Sequence, residues 1–250
     1  MNPLDSHLDK YGSIIEQVVK QANQRMQTLL TGFTVVDGKL ALSEENVAFT
    51  MDLVDRMYAT LDEAGYGRFA DKYRSDFMNI YKEFNAAKTL TYNFNFLPKD
   101  KSILQAISTA NYEGLFRVQR EVANTIQRLA TDYVLTERPI ADLADELRNQ
   151  LEGRLQRYAK THVETSTRQA IQKGQDLVLD NEGIPAEDRY YEYVGPLDGI
   201  TREECIEGVT KQYFTEAERA EFEATYGVRY NCRHVFQYIP KSVYEKEAQK

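Results

Sequence analysis

A mainly helical fold, a long-helix body followed by a small C-terminal α+β module, is the class that this sequence predicts, and three observations predict it. Apolar residues recur at spacings of three and four through the first two thirds of the chain. Glycine, proline and capping residues fall between those runs as helix punctuation. After Asn181-Glu182-Gly183-Ile184-Pro185 the pattern changes to β-branched and aromatic runs divided by turns, which places a boundary near residue 185. The expected organisation is therefore a helical body over 1–185, a module over 186–240 and a polar tail over 241–250.

The first helix is carried by Leu4, Leu8, Tyr11, Ile15, Val18 and Ala22, continued by Met26, Leu29 and Phe33, and ends near Thr31-Gly32. Its apolar stripe suits core packing or a partner's helix. Phe33 to Leu40 has the β-branched content and Asp37-Gly38 turn of a short hairpin. Ser43 is an N-cap for a helix whose face is Val47, Val54, Met57, Tyr58 and Leu61. Gly65-Tyr66-Gly67 breaks it, and Phe69, Tyr73, Phe77, Ile80, Tyr81 and Phe84 begin the next. Tyr92 to Pro98 alternates like a strand without an obvious partner and is expected to be an extended connection. Helical spacing returns from Lys101 to about Leu135. Pro139 then opens a helix carrying Ile140, Leu143, Leu147, Leu151, Leu155 and Tyr158, which bends at Gly153 and runs on to Leu179.

In the module, Tyr190 to Val194 reads as a strand, Gly195-Pro196-Leu197-Asp198-Gly199 as a turn, and Asn231 to Ile239 as a second strand. Thr201 with Glu204 three residues on has the form of a capping box, so a short helix is expected from Arg202.

Composition narrows the function. At 250 residues with 42% hydrophobic and 28% charged side chains, the chain can bury one large or two modest cores. No apolar run is long enough to span a bilayer, and Met1 to Asp5 lacks the start of a secretion signal, so no membrane association and a cytosolic beginning are expected. Two cysteines are too few for a disulfide scaffold. The net charge of -8 argues against a surface devoted to nucleic acid. Between Arg148 and Lys173, however, six basic side chains stand against Glu152 and Glu164, a strip that serves helix solubility or touches DNA or an acidic protein.

Candidate chemistry concentrates between Asp198 and His234. Cys232 and His234 are two apart, so a strand would put both on one face. Cys205 would stand in the first turn of the short helix, where backbone N–H groups favour a thiolate. Asp198 could add an oxygen. Two sulfurs, an imidazole nitrogen and a carboxylate suit a tetrahedral zinc ion, and a module of this size has a thin core that a structural metal would strengthen. The competing reading makes the cysteines small buried hydrophobes. Elsewhere, His162 is a lone histidine expected to be solvated or hydrogen-bonded, and Glu44-Glu45 and Glu203-Glu204 are helix starts rather than acid–base couples. No phosphate loop, nucleophile elbow or His-Glu-x-x-His motif is present, so no catalytic residue is assigned.

The order of these residues resembles a known motif. Tyr193, Asp198-Gly199-Ile200-Thr201-Arg202-Glu203-Glu204-Cys205, the loop with Gly208 and Tyr213, and Asn231-Cys232-Arg233-His234 resemble the closing motif of head morphogenesis proteins similar to phage Mu protein F. In that family an aspartate and an arginine precede a histidine, and the motif ends in Asn-Cys-Arg-Cys. Here Cys205 stands where the family usually shows histidine, and His234 where it usually shows cysteine. The reciprocal change keeps two cysteines and one histidine, as a shared metal would allow. His162 to Ala170 also resembles the helix before the motif, so the resemblance covers about residues 140 to 240. It implies a non-enzymatic minor head protein of a tailed phage, with zinc at Asp198, Cys205, Cys232 and His234. It further implies a place inside the head, bound to the portal protein and the major capsid protein in copies that follow portal symmetry, within reach of packaged DNA. A metal-dependent hydrolase or nuclease using the same four residues is the alternative.

Overall fold

A computed structural model describes residues 3–88, 98–199, 201–227, 232 and 234–248. It is mainly helical with a small sheet module. The chain divides into two compact units, one made of Asp5–Asp76 and Thr109–Val163, the other of the described residues within Met1–Leu4, Phe77–Ser108 and Glu164–Lys250.

In the first unit, helix α1 (Pro3–Leu30) buries Leu8, Tyr11, Ile15, Val18, Ala22 and Met26 of the predicted stripe, leaves Leu29 half-buried, and adds Val19 and Leu30. A hairpin follows, with β1 (Val35–Val36) paired to β2 (Lys39–Leu40) through Asp37 and Gly38, both at positive φ as a two-residue turn of this hand requires. Asn46 holds the loop together: its Oδ1 accepts from Thr34 N at 2.8 Å, while its Nδ2 donates to the carbonyls of Thr34 at 2.8 Å and Ala41 at 2.7 Å.

Ser43 caps α2 (Glu44–Met51) as expected. The single helix expected beyond it is interrupted at Asp52, where α3 (Leu53–Glu63) begins. Gln127 Nε2 donates to the carbonyls of Thr50 and Met51, both at 3.1 Å, so groups freed at the break keep partners. Gly65, at positive φ, turns the chain into α4 (Tyr66–Lys88). Tyr11, Phe69 and Tyr73 pack edge to face, and Tyr66 donates from its buried hydroxyl to Leu115 O of α5 (Pro98–Leu135) at 2.8 Å. The connection expected over 92–97 lies outside the described residues, as do the side chains of Ile80, Tyr81 and Phe84.

Helix α6 (Ile140–Asn149) passes into a π-helical stretch, Gln150–Gln156, and then into α7 (Arg157–Asn181). The bend expected at Gly153 is thus an inserted residue in the helical ladder. That insertion explains one departure from the sequence pattern: Leu143, Leu147, Leu151 and Leu155 are buried, but the stripe then moves to Ala159 and Val163 and leaves Tyr158 exposed.

The second unit contains a three-stranded antiparallel sheet in the order β4 (Tyr213–Thr215), β3 (Tyr190–Val194), β5 (Val235–Ile239). Leu179 of α7 packs into its core with Tyr191, Tyr193, Phe214, Phe222 and Phe236, so this unit takes in α7 from Glu164 onward as well as the stretch after residue 185. Gln175 Oε1 accepts from Tyr238 N at 3.1 Å, and a helix side chain thereby serves part of the edge of β5. Helices α8 (Glu203–Lys211) and α9 (Glu216–Tyr226) complete the module.

Three local expectations change here. The N-cap of α8 is Arg202, not Thr201, and no side chain caps it. Thr201 instead braces the preceding turn: its Oγ1 accepts from Asp198 N at 2.9 Å and lies 3.1 Å from both Pro196 O and Asp198 Oδ1. A capping box does occur one element later, where Thr215 and Glu218 bond reciprocally at the start of α9. Finally, residues expected to be a polar tail include α10 (Lys241–Glu247), whose Tyr244 packs on Tyr190 with ring centroids 4.3 Å apart.

Candidate metal centre

Three elements converge at one end of the sheet. Strand β3 ends beside Tyr193, the first turn of α8 carries Cys205, and the segment leading into β5 carries Cys232 and His234. Cys205, Cys232 and His234 are all buried, and one donor atom from each lies within 4.8 Å of the others. The sulfurs are 3.5 Å apart, and His234 Nδ1 is 3.9 Å from Cys232 Sγ. In a tetrahedral zinc site with bonds of about 2.3 Å to sulfur and 2.0 Å to nitrogen, donor atoms stand about 3.5–3.8 Å apart. The residues therefore fit a metal: the spacing is that of a coordination shell, and no disulfide joins the cysteines.

His234 Nε2 is buried without a hydrogen-bond partner. The nitrogen beside Cys232 Sγ, and so the donor offered to an ion there, is the other one, Nδ1. Burial pushes the Cys232 thiol up, but hydrogen bonds involving His234, Tyr193 and Cys205 outweigh burial and bring it down to about 6. Cys232 thus favours the thiolate at neutral pH.

Close approach of backbone to side chain builds this geometry. The ring of His234 stacks on Tyr193, centroids 5.4 Å apart and planes 11° from parallel. On Gly195, an added Cβ would lie 2.2 Å from the imidazole Cδ2, so glycine is what allows the turn after β3 to pass there. Gly208 does the same for α8, since a Cβ would stand 2.6 Å from the Tyr193 ring. Behind the site, Arg219 of α9 is buried over Tyr191 and forms a two-pronged pair with Asp176 of α7 at 2.8 and 3.2 Å. Burial pulls that guanidinium down, but its carboxylate neighbours raise it above its ordinary value, so it is a fixed charge joining α9 to α7.

Of the four expected ligands, the structure brings together three. Asp198 is exposed in the turn, its Oδ1 beside the Thr201 hydroxyl, and is not in the group. Cys232 and His234 are neighbours as expected but precede β5 rather than lie in it; Asn231 and Arg233 lie outside the described residues. Glu204 sits 3.8 Å from Arg202. His162 Nε2 donates to Asn111 O at 2.8 Å, with burial holding its imidazole below the usual value, in keeping with a hydrogen-bonded structural residue. From the basic strip, Arg148 pairs with Asp145 at 3.1 Å, Arg154 donates to Thr125 Oγ1 at 3.0 Å, and Arg168 is buried.

A cleft of about 340 Å³ opens beside Cys232 and His234, lined also by Thr165, Arg168, Gln172 and Glu223. Among the described residues no helix is long and apolar enough to cross a membrane. No family model, curated protein or solved structure matches the chain.

Proposed function

We propose that this protein is a minor head protein of a tailed phage, similar to phage Mu protein F, in which a zinc ion at Cys205, Cys232 and His234 pins together the parts of a small module. The observation that carries the reading is the pairing of motif order with convergence: residues 27 positions apart, Cys205 and Cys232, are 3.5 Å apart with His234 beside them. Function here is binding rather than chemistry. The helical elements would dock on the portal and the major capsid protein inside the head, in copies set by portal symmetry, and the metal would give the module a rigid surface. Contact with packaged DNA would fall to the basic residues between Arg148 and Lys173 other than the buried Arg168.

The test is genetic and compositional. Proteomics of purified heads from the phage or prophage that encodes the chain should find it at a small fraction of the major capsid protein, and deletion should yield defective heads. Its absence from heads, with undiminished infectious titre after deletion, would refute the proposal.

One observation favours a second reading. Three protein ligands beside an open cleft are also the layout of a catalytic metal with an exchangeable water, as in a metal-dependent hydrolase or nuclease. Glu204, the nearest candidate for a general base in sequence, is engaged with Arg202, which weighs against it.

A further inference from the structure

The group of three leaves one corner of a tetrahedron to fill, and a polar atom already stands close to both sulfurs. Tyr193 Oη is 3.7 Å from Cys205 Sγ and 3.7 Å from Cys232 Sγ, and the sulfurs are 3.5 Å apart. A triangle with those sides has its centre about 2.1 Å from each corner, while zinc bonds run about 2.3 Å to sulfur and 2.0–2.2 Å to oxygen. These three atoms are therefore spaced so that they would hold one zinc ion without rearrangement of the side chains. His234 Nδ1, 3.9 Å from Cys232 Sγ, is within reach of the fourth corner.

We propose that Tyr193, rather than Asp198, supplies the fourth donor, as a phenolate, and completes a two-cysteine, one-histidine, one-tyrosine site. This rests on the reading that the group binds zinc. The phenol proton leaves to solvent when the ion binds, as the thiol protons do, because a bound divalent cation favours the deprotonated ligand. Two thiolates and one phenolate around a divalent cation carry one net negative charge. Arg168 is buried in the wall of the cleft that Cys232 and His234 also line.

The choice of donor alters what the ion holds together. Asp198 would fasten only the turn. Tyr193 belongs to β3, the central strand, so the ion would join the middle of the sheet to α8 and to the approach to β5. Tyr193 is also buried, and its ring is fixed by Phe214, Phe222 and Phe236, which pre-sets the hydroxyl at little entropic cost. Four protein donors leave no position for a reactive water, so this inference separates the structural ion from the hydrolase reading.

The experiment is a zinc titration of the metal-free, reduced full chain, followed by ultraviolet difference spectroscopy and by competition with a chromophoric chelator. The expected result is a tyrosinate difference band that grows until one equivalent is bound. Tyr193→Phe, which keeps the ring, should lack the band and bind zinc about tenfold or more weakly, and Asp198→Ala should match the parent in both readouts. Zinc binding without a tyrosinate band in the parent overturns the inference, and so does a band that survives in Tyr193→Phe. Failure of the parent to bind zinc at all overturns the metal reading itself. The parent's band does not depend on how well either variant folds.

Discussion

Gly195→Ala isolates the packing that shapes the candidate site, because it adds one methyl group without asking the backbone for a forbidden conformation. The new Cβ would lie 2.2 Å from Cδ2, 2.5 Å from Cγ and 2.8 Å from Nε2 of His234. Ordinary carbon contacts begin near about 3.5 Å, so the imidazole would have to retreat by about 1 Å. Tyr193 stacks on the ring and the site is buried, so retreat means repacking. Overpacking of this kind costs about 1–3 kcal/mol. Coordination is less tolerant still, since ligand distances hold to about 0.2 Å, and a displaced imidazole would cease to be a ligand. Urea denaturation and zinc competition on Gly195→Ala, with Gly199→Ala as a control that meets nothing within 4 Å, measure both effects. A Gly195→Ala protein with parental stability and zinc affinity would refute the packing argument.

Three further outcomes are expected. Asn46→Ala removes three hydrogen bonds to loop backbone from a buried position, and chemical denaturation should show a loss of about 2–3 kcal/mol, against little change for exposed Glu45→Ala. Thr215→Ala deletes the capping box of α9 and should cost about 1 kcal/mol in the same assay, whereas Thr201→Ala should leave the helix content of α8 unaltered by circular dichroism. Burial pushes the Asp76 carboxyl up, but hydrogen bonds from Tyr11, Lys10 and Lys72 outweigh it and hold the group at about 2. With an unfolded value of about 3.9, its contribution is fully present above that pH and is lost as pH falls towards 2. Stability measured against pH should therefore fall over that window in the parent, and less steeply in Asp76→Asn.

Legibility in the sequence followed the range of the physics involved. The stripe from Leu8 to Met26 was readable because helical burial has a short period, and Asp37-Gly38 because a two-residue turn of this hand admits few residues. The split at Asp52 was not readable, since the carbonyls there are taken by Gln127, far along the chain. Tyr158 was misplaced because an inserted residue shifts the stripe without a mark in the pattern. The capping boxes show how a local rule fails: Thr201 and Glu204 have the right spacing, but the threonine is drawn to the turn, while Thr215 and Glu218, with the same spacing, satisfy the rule and mark the helix that was missed.

At the candidate site, residue types and motif order were enough to single out Cys205, Cys232 and His234. Asp198 entered the expected set because it is near in sequence, and the fold turns it to solvent. Tyr193 was part of the motif without an assigned role, since only the fold shows its hydroxyl beside both sulfurs. Gly195 was read only as part of a turn and Gly208 only as part of the motif, because the rings they accommodate come from other elements. Arg219 was likewise invisible until α9 and α7 were seen to meet through Asp176.

The central claim is that a metal joins the sheet module's parts, and metal content tests it most directly. The full chain purified without added metal, and its Cys232→Ala variant, would be measured by inductively coupled plasma mass spectrometry alongside limited proteolysis. About one zinc per chain is expected in the parent and none in the variant, with new cleavage in the variant after residue 185 and the helical body still protected. No metal in either protein, and identical protease resistance, would contradict the claim and leave Cys205, Cys232 and His234 as packed core.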